Sequence, residues 1–421
     1  MKLKDLYKGL NLNHEKSTLL EDLDLIYDFN YYEELNIDIT TDLDLLVYEY
    51  HKSPFPTVTC GIITYNEVRC IEKCLTSVYN HFDELIVVDS LSEDGTVQII
   101  QDNFPKVKVF EEPWRNDFSY QRNKVISLSN SDWIYFIDAD NYYRESNAYK
   151  AKRIAKLVTF LNLNCVVSPI IHEHSGHCYY DTRRFFPLDK EILFTGNVHE
   201  EPTLGNGSIP LNLKVEIHVD HDGYNPELVD QTDKSKRNIK LTLEMLKKDR
   251  NNPKWLYFYA REVIQTTNDS ELAKNLLDKA LHLQKSFHDN RYHLDILLLL
   301  CEISLKNNKL QELFYYVSVL EKNFPLCTDI EYFKTAILFV DIQSKVKILA
   351  DSLTKAIKSD EGKSFSGINS TNDHLRYMLV KMHMCLEEYE SAYDVFDDIR
   401  SAELKEIISS KIHQLNQKIT I

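Results

Sequence analysis

Four short apolar runs, separated by helix-like stretches along residues 57–137, restrict this chain more than any other feature. They are TVTCGIIT (57–64), LIVV (85–88), Val107 to Phe110, and WIYFI (133–137). Runs this short, rich in β-branched and aromatic residues, read as buried strands. The stretches between them, one through Ile71 to Leu75 and another starting near Asp94, read as helices. Strands alternating with helices require parallel crossover connections, so an open α/β sheet is expected. Ligands of such sheets sit beyond the carboxyl ends of the strands. The polar clusters fall at those ends: Thr64-Tyr65-Asn66-Glu67, Asp89-Ser90 and Asp138-Ala139-Asp140.

The flanking regions have a different rhythm. In residues 1–54 apolar residues recur at three- and four-residue steps, which predicts two or three amphipathic helices. Ser53-Pro54-Phe55-Pro56 then breaks the pattern. Beyond about residue 230 helix-period segments dominate, at 235–249, 254–266, 270–285, 292–306, 309–322 and 373–403. Trp255-Leu256-Tyr257 with Ala273 and Ala280 resembles a tetratricopeptide helix pair, because small residues seven apart let helices approach closely. The expected division is an N-terminal helical extension (1–54), an α/β domain (55–229) and a helical, TPR-like domain (230–421).

Composition narrows the partners. With 421 residues, 43% of them hydrophobic and 27% charged, the chain has the profile of a soluble protein of two or three packed units. A net charge of −16 argues against nucleic-acid binding, which relies on Lys and Arg neutralising phosphates. The most apolar run, Leu294 to Cys301, is too short to span a bilayer, so no membrane insertion is expected. MKLKDLYKGL has neither the apolar core nor the cleavage site of a secretory signal, and a cytoplasmic location is expected. Eight cysteines in this length form no disulfide scaffold, and Cys70 and Cys74 read as buried thiols.

Asp138 and Asp140 follow directly on an apolar run. At i and i+2 of an extended chain their carboxylates would point the same way, a hard oxygen pair suited to Mg²⁺ or Mn²⁺ beside phosphate. On their order and spacing, CGIITYNE (60–67), VVDSLSEDGT (87–96), FSYQRN (118–123) and WIYFIDADN (133–141) resemble a family 2 glycosyltransferase of the GT-A fold. That resemblance implies a nucleotide-sugar donor. It implies that Asp89 pairs with the uracil edge and that Thr64, Tyr65, Asn66 and Glu67 border the nucleoside. It further implies that Arg122 lies close to the nucleotide, Asp138 near the ribose, and Asp140 on the metal. Taken alone, Asp89 reads equally well as a turn or helix-capping residue.

A second polar half follows at TRRFF (182–186), GNVHEEP (196–202) and HVDHDGY (218–224). Arg183 and Arg184 are candidates for the local cations that an anionic donor needs in an acidic protein, against the plainer reading of a surface ion pair. His199 and His221 are each candidates for a third metal ligand, and His221 is favoured because its H-x-G-Y pattern, ending at Tyr224, resembles the histidine that similar enzymes place near the metal. His199, Glu200 and Glu201 are assigned to the acceptor side, with Glu200 or Glu201 as the base that removes the acceptor proton.

Over nearly its whole length the chain resembles the peptide S-glycosyltransferases of glycocin bacteriocins, of the sublancin type. The N-terminal helices, TRRFF, VHEEP, HDGYNP, NPKWL and the C-terminal helices carry the likeness. It implies an inverting transfer of glucose from UDP-glucose to a cysteine of a ribosomal precursor peptide, with serine also modified by some members. It also implies a homodimer whose helical domains build a peptide groove. A thiol acceptor needs little help from a base, since a thiol with a pKa near about 8.5 is partly ionised at neutral pH. Two other readings stay open: a polysaccharide or lipid-linked transferase of the same fold, and a helical-repeat scaffold carrying a decayed transferase domain.

Overall fold

A computed structural model describes residues 1–38, 42–222, 231–284, 291–358 and 366–419. The chain divides into two compact units, residues 1–269 and 270–421.

In the first unit, α1 (Leu3–Asn13), α2 (Thr18–Leu23) and α3 (Leu43–Lys52) precede the α/β core. That core begins with β1 (Val58–Thr64), α4 (Ile71–Val78), β2 (Glu84–Asp89), α5 (Thr96–Asn103), β3 (Val107–Glu111), α6 (Phe118–Leu128) and β4 (Trp133–Phe136). It continues through β5 (Asn141–Tyr143), α7 (Lys150–Phe160), β6 (Cys165–Glu173), β7 (Cys178–Tyr179) and β8 (Phe185–Pro187). The last strands are β9 (Leu193–Thr195), β10 (Glu201–Thr203) and β11 (Leu211–His221), followed by α8 (Gln231–Lys248) and α9 (Pro253–Thr267).

The sheet order is β3-β2-β1-β4-β8-β6-β11-β5, with β7 on β6. Strands β3, β2, β1 and β4 are parallel, as the alternating pattern requires. Beyond β4 the sheet is mixed: β8 runs antiparallel to β4 and β6, and β5 antiparallel to β11. This is the GT-A type of mixed α/β sheet. Buried residues of β1, β4, β6, β8 and β11 share one core with Leu3, Leu6, Leu10, Leu19 and Leu23 of α1 and α2. The N-terminal segment is also stitched to β11, where the Tyr32 hydroxyl donates to the Asn212 carbonyl at 2.8 Å and accepts from the Lys214 amide at 3.0 Å.

Gly61 in β1 explains how close α6 lies to the sheet. A Cβ there would stand 2.6 Å from Val125 Cγ1 and 3.1 Å from Phe136 Cε1. Only hydrogen fits that gap. Cys70 and Cys74 are both buried free thiols, as expected.

The second unit is helical: α10 (Ser270–Gln284), α11 (His293–Lys306), α12 (Leu310–Asn323), α13 (Asp329–Lys358), α14 (Asp373–Cys385), α15 (Tyr389–Asp397) and α16 (Ala402–Ile419). Leu297, Leu300, Leu313, Val317 and Leu320 are buried between successive helices. The segment 373–403, expected as one helical stretch, is broken into α14 and α15 at Glu387, whose φ of 61° no helix tolerates. The two helices read as one tetratricopeptide pair, at 254–266 and 270–285, fall into different units. Among the described residues, no helix is long and apolar enough to cross a membrane.

Candidate active site

A cavity of about 1050 Å³ opens at the carboxyl ends of β1, β2 and β4. Strand pairing determines which side chains meet there. In the register of β4 with β8, Tyr135 faces Phe185, so Arg184 stands beside the end of β4 and its carbonyl accepts the Phe136 amide at 2.7 Å. In the register of β11 with β5, His221 faces Asn141, one residue beyond Asp140. On α6, Asp117 caps the helix by accepting the Tyr120 amide at 3.0 Å, which sets the turn that carries Arg122.

Arg122 joins the two halves of the site. Its Nη2 donates to Asp138 Oδ1 at 2.7 Å and its Nε to Glu200 Oε1 at 2.6 Å. Arg184 adds a second cation, with Nη1 at 3.0 Å from Glu200 Oε1 and Nη2 at 3.8 Å from Asp138 Oδ2. Burial alone would raise the Glu200 carboxyl, but Arg122 and Arg184 outweigh it and hold it down at about 2. The same balance of burial against the two guanidiniums holds Asp138 well below the usual carboxylate range. Arg122 Nη1 is buried without a hydrogen-bond partner among the described residues, as is Thr64 Oγ1, and both residues line the cavity. Orphaned polar atoms of this kind mark a place for ligand atoms.

Asp138 and Asp140 do not form the extended pair that their spacing predicted. Residues 138–141 make a turn closed by the Asn141 amide on the Asp138 carbonyl at 2.9 Å, because the chain must reverse into β5. Asp138 is thereby committed to the arginines, while Asp140 Oδ1 lies 3.5 Å from His221 Nδ1. His221 Nδ1 also meets Asn141 Oδ1 at 2.5 Å, and its Nε2 lies 3.8 Å from Glu173 Oε1. Burial opposes the charged imidazole, yet Asp140 and Asp138 prevail and raise it above its ordinary range. Of the three residues expected on a metal, Asp140 and His221 stand together and Asp138 stands with Arg122.

Other expectations need correction. Asp89 is fully buried, and its two carboxylate oxygens accept from the Ser92 amide at 2.7 Å and the Ser92 hydroxyl at 2.6 Å. It shapes the loop at Ser90 and Leu91, which line the cavity, whereas Asp89 itself is not among the lining residues. Arg183 points away from the site: its Nε donates to Asp181 at 2.6 Å and its Nη1 to the Pro210 carbonyl at 3.2 Å. Its φ of 52° turns successive side chains apart, leaving Arg184 as the cavity residue. Asn66 accepts the Glu93 amide at 2.9 Å and braces the two loops from outside the cavity, whereas Thr64, Tyr65 and Glu67 line it. Ala139 is buried in the cavity floor. Burial, relieved partly by Cys70 and reinforced by Asp140, raises the Glu67 carboxyl.

On the other wall, the His199 ring stacks on Phe258 with centroids 3.8 Å apart, and its Nε2 lies 3.3 Å from Glu262 Oε1. Burial lowers the affinity of His199 for a proton, against the pull of Glu262. Glu201 is turned out of the cavity onto Lys254 Nζ, at 2.6 Å. Gly223 and Tyr224 of the H-x-G-Y pattern lie outside the described residues.

Helices α8 and α9 complete the cavity with Lys234, Arg237, Arg261, Glu262 and Gln265, none of which had been singled out. The legible signal was the basic run KSKR at 234–237, a local concentration of cations in an acidic chain. The Arg237 guanidinium lies 5.0 Å from the Phe118 ring centroid, and burial lowers its proton affinity. A cluster of cations around a polar cavity gives an anionic ligand the local field that the net charge denies it.

Residues 59–203 match the family model for glycosyl transferase family 2. The chain is 42% identical over 419 residues to glycosyltransferase SunS of Bacillus phage SPbeta, covering 99% of this chain and 98% of that one. The same values hold for the SPbeta prophage-derived glycosyltransferase SunS of Bacillus subtilis. An uncharacterized glycosyltransferase of Rickettsia bellii is 42% identical over 83 residues, 20% of this chain and 27% of its own. Similarity that runs end to end in a relative, together with the family match over residues 59–203, makes this chain a glycosyltransferase, a member of glycosyl transferase family 2.

Proposed function

We propose that the enzyme transfers glucose from UDP-glucose to a cysteine thiol of a ribosomally made bacteriocin precursor peptide, with inversion at the anomeric carbon. The observation that carries this reading is the similarity to the SunS glycosyltransferases over 99% of the chain, helical segments included. Donor motifs alone would support any family 2 enzyme. A likeness that extends through the N- and C-terminal helices favours the glycocin type, whose resemblance supplies the peptide acceptor.

The diphosphate of the donor is assigned to the mouth of the site, between Arg122 and Arg184 on one side and Asp140 and His221 on the other. Among the described residues no three His, Cys, Asp or Glu side chains cluster as a complete metal cage. Asp140 and His221 would therefore hold Mg²⁺ or Mn²⁺ with phosphate oxygens and water completing the shell, the usual manner for these ions. When bound, such an ion neutralises charge on the departing diphosphate.

The roles of the remaining residues follow from their partners. Glu200, clamped by two guanidiniums, is a poor proton acceptor and serves to orient Arg122 and Arg184. Glu201 is occupied by Lys254. His199, which burial keeps neutral, is the acceptor-side group left with the capacity to take a proton. A thiol acceptor asks little of it, because its own ionisation is within reach at neutral pH.

A homodimer belongs to the same reading. Leu338, Phe339, Ile342, Ile348 and Leu349 are exposed along α13, which supports a second copy covering that helix.

The test is to incubate the protein with UDP-glucose, Mg²⁺ or Mn²⁺ and the precursor peptide encoded beside its gene, then read intact peptide mass. A hexose added to the native peptide and absent after cysteine-to-alanine replacement is expected. Absence of any sugar addition across several nucleotide-sugar donors would sink the reading. Addition that survives the replacement would overturn the S-linkage and leave the transferase.

A further inference from the structure

The sheet carries a second polar cluster on the face opposite the cavity. Successive strand residues alternate faces, so His221 of β11 turns toward Asp140 while His218 and Asp220 turn the other way. On that far face His172 of β6 and Cys178 of β7 pair directly in the antiparallel register. Four side chains then meet in one line. Cys178 Sγ lies 3.4 Å from His172 Nδ1, His172 Nε2 lies 2.9 Å from His218 Nδ1, and His218 Nε2 lies 3.0 Å from Glu216 Oε2.

One assignment of protons satisfies every contact. The Cys178 thiol donates to His172 Nδ1, His172 Nε2–H donates to His218 Nδ1, and His218 Nε2–H donates to the Glu216 carboxylate. The line therefore runs from a thiol to a carboxylate with every donor matched to an acceptor. Moving the thiol proton onto His172 creates an imidazolium between the sulfur and a carboxylate-backed histidine, the arrangement that activates nucleophilic cysteines. Among the described residues the other charged groups at the cluster are Arg144 and Asp220, paired with each other at 2.5 Å, and Lys150, whose Nζ donates to the Glu216 carbonyl at 2.7 Å. Tyr180, stacked on Tyr27 with centroids 5.0 Å apart, is a further neighbour of Cys178. Burial, with Arg144 and His218 beside it, pushes the His172 proton affinity down, so its ring is neutral and able to accept.

Cys178 is accessible as well as partnered. It is half-exposed, whereas Cys60, Cys70, Cys74, Cys165 and Cys301 are buried. Cys385 is more exposed than Cys178. It serves as an internal standard for a thiol reached by solvent.

We propose that Cys178 is a modification site for small disulfides, its thiol activated by His172 and held in line by His218 and Glu216. In the exchange, Cys178 Sγ attacks one sulfur of the incoming disulfide as its proton passes to His172 Nδ1. The old S–S bond breaks, a new one forms to Cys178, and the departing thiolate leaves with the displaced electron pair. No oxidant beyond the disulfide itself is consumed. His218 and Glu216 are positioning residues, acting through His172.

The test uses the full-length protein and an aromatic disulfide, 5,5′-dithiobis(2-nitrobenzoic acid), at neutral pH, with labelling quenched at intervals and assigned to each cysteine by peptide mass. Cys178 is expected to label about tenfold faster than the more exposed Cys385, the order of gain that a hydrogen-bonded base gives an attacking thiol. His172→Ala and Glu216→Gln should each slow Cys178 while leaving the Cys385 rate unchanged. Labelling of the buried Cys60 would reveal an unfolded His172→Ala protein. Glu216→Gln, three hydrogen bonds from the sulfur, then decides alone. Labelling of Cys178 no faster than Cys385, or a rate that the folded variants leave unchanged, would overturn the proposal.

Discussion

Arg122 Nε donates to Glu200 Oε1 at 2.6 Å, an ion pair between residues 78 positions apart whose side chains are 4% and 7% exposed. Through this contact the first polar half of the sequence, ending at Asp138, is held to the second, beginning at Arg184. The enclosed electrostatics matter because the same guanidinium also carries Asp138. A single side chain thus neutralises two carboxylates in a cavity built to receive an anion.

Removing that cation should be costly to the fold. Arg122→Leu leaves Glu200 with Arg184 alone and Asp138 with a 3.8 Å partner. Breaking a buried pair from one side costs about 3–5 kcal/mol, so a clear fall in Tm is expected. Thermal unfolding followed by circular dichroism checks it, and an unchanged Tm would remove the central role given to this residue.

Asp140→Ala should behave in the opposite way. Asp140 lines the cavity and stands beside His221. Transfer should fall by about a hundredfold or more, on the scale of losing charge stabilisation at a leaving group, with Tm nearly unchanged. Steady-state transfer measured beside a melting curve separates the two effects. Near-normal turnover would reject the role proposed for Asp140.

The neighbouring arginines should part company. Arg184→Ala removes a cavity cation, so KM for the nucleotide sugar should rise about tenfold or more, the scale of a lost charge-assisted hydrogen bond. Arg183→Ala removes the contacts to Asp181 and the Pro210 carbonyl. It should lower Tm while leaving KM close to normal. Equal kinetic effects of the two substitutions would contradict the assignment of Arg184 alone to the cavity.

Stability should fall in acid over a defined window. The Glu200 carboxyl is held down from 4.5 to about 2, chiefly against burial by Arg122 and Arg184. The Glu84 carboxyl is held equally low, against burial, by Lys108, Thr59 and Asn130. Both bind protons more weakly folded than unfolded. Their stabilisation is complete above pH 4.5 and is lost as the pH falls toward 2. Urea unfolding at successive pH values should show this decline, and Glu200→Gln should make it shallower.

The four leading strands, the parallel sheet and the place of the cavity were legible in the sequence because they depend on local information. Short β-branched runs ending in polar clusters can be buried only as central strands, and ligands gather at their carboxyl ends. The pairing partners were not legible. Asp138 and Asp140 have identical chemistry and near-identical surroundings in sequence, yet a turn into β5 gives one to Arg122 and brings the other to His221. Arg183 and Arg184 were equally indistinguishable until a left-handed backbone at the first pointed them apart. Nor could the sequence show that Ser92 folds back onto both oxygens of Asp89. Helices α8 and α9 reach the cavity from far along the chain, and only their basic run at 234–237 hinted at it. Composition and periodicity determine what each segment must bury, whereas strand register and turn geometry decide which charges meet.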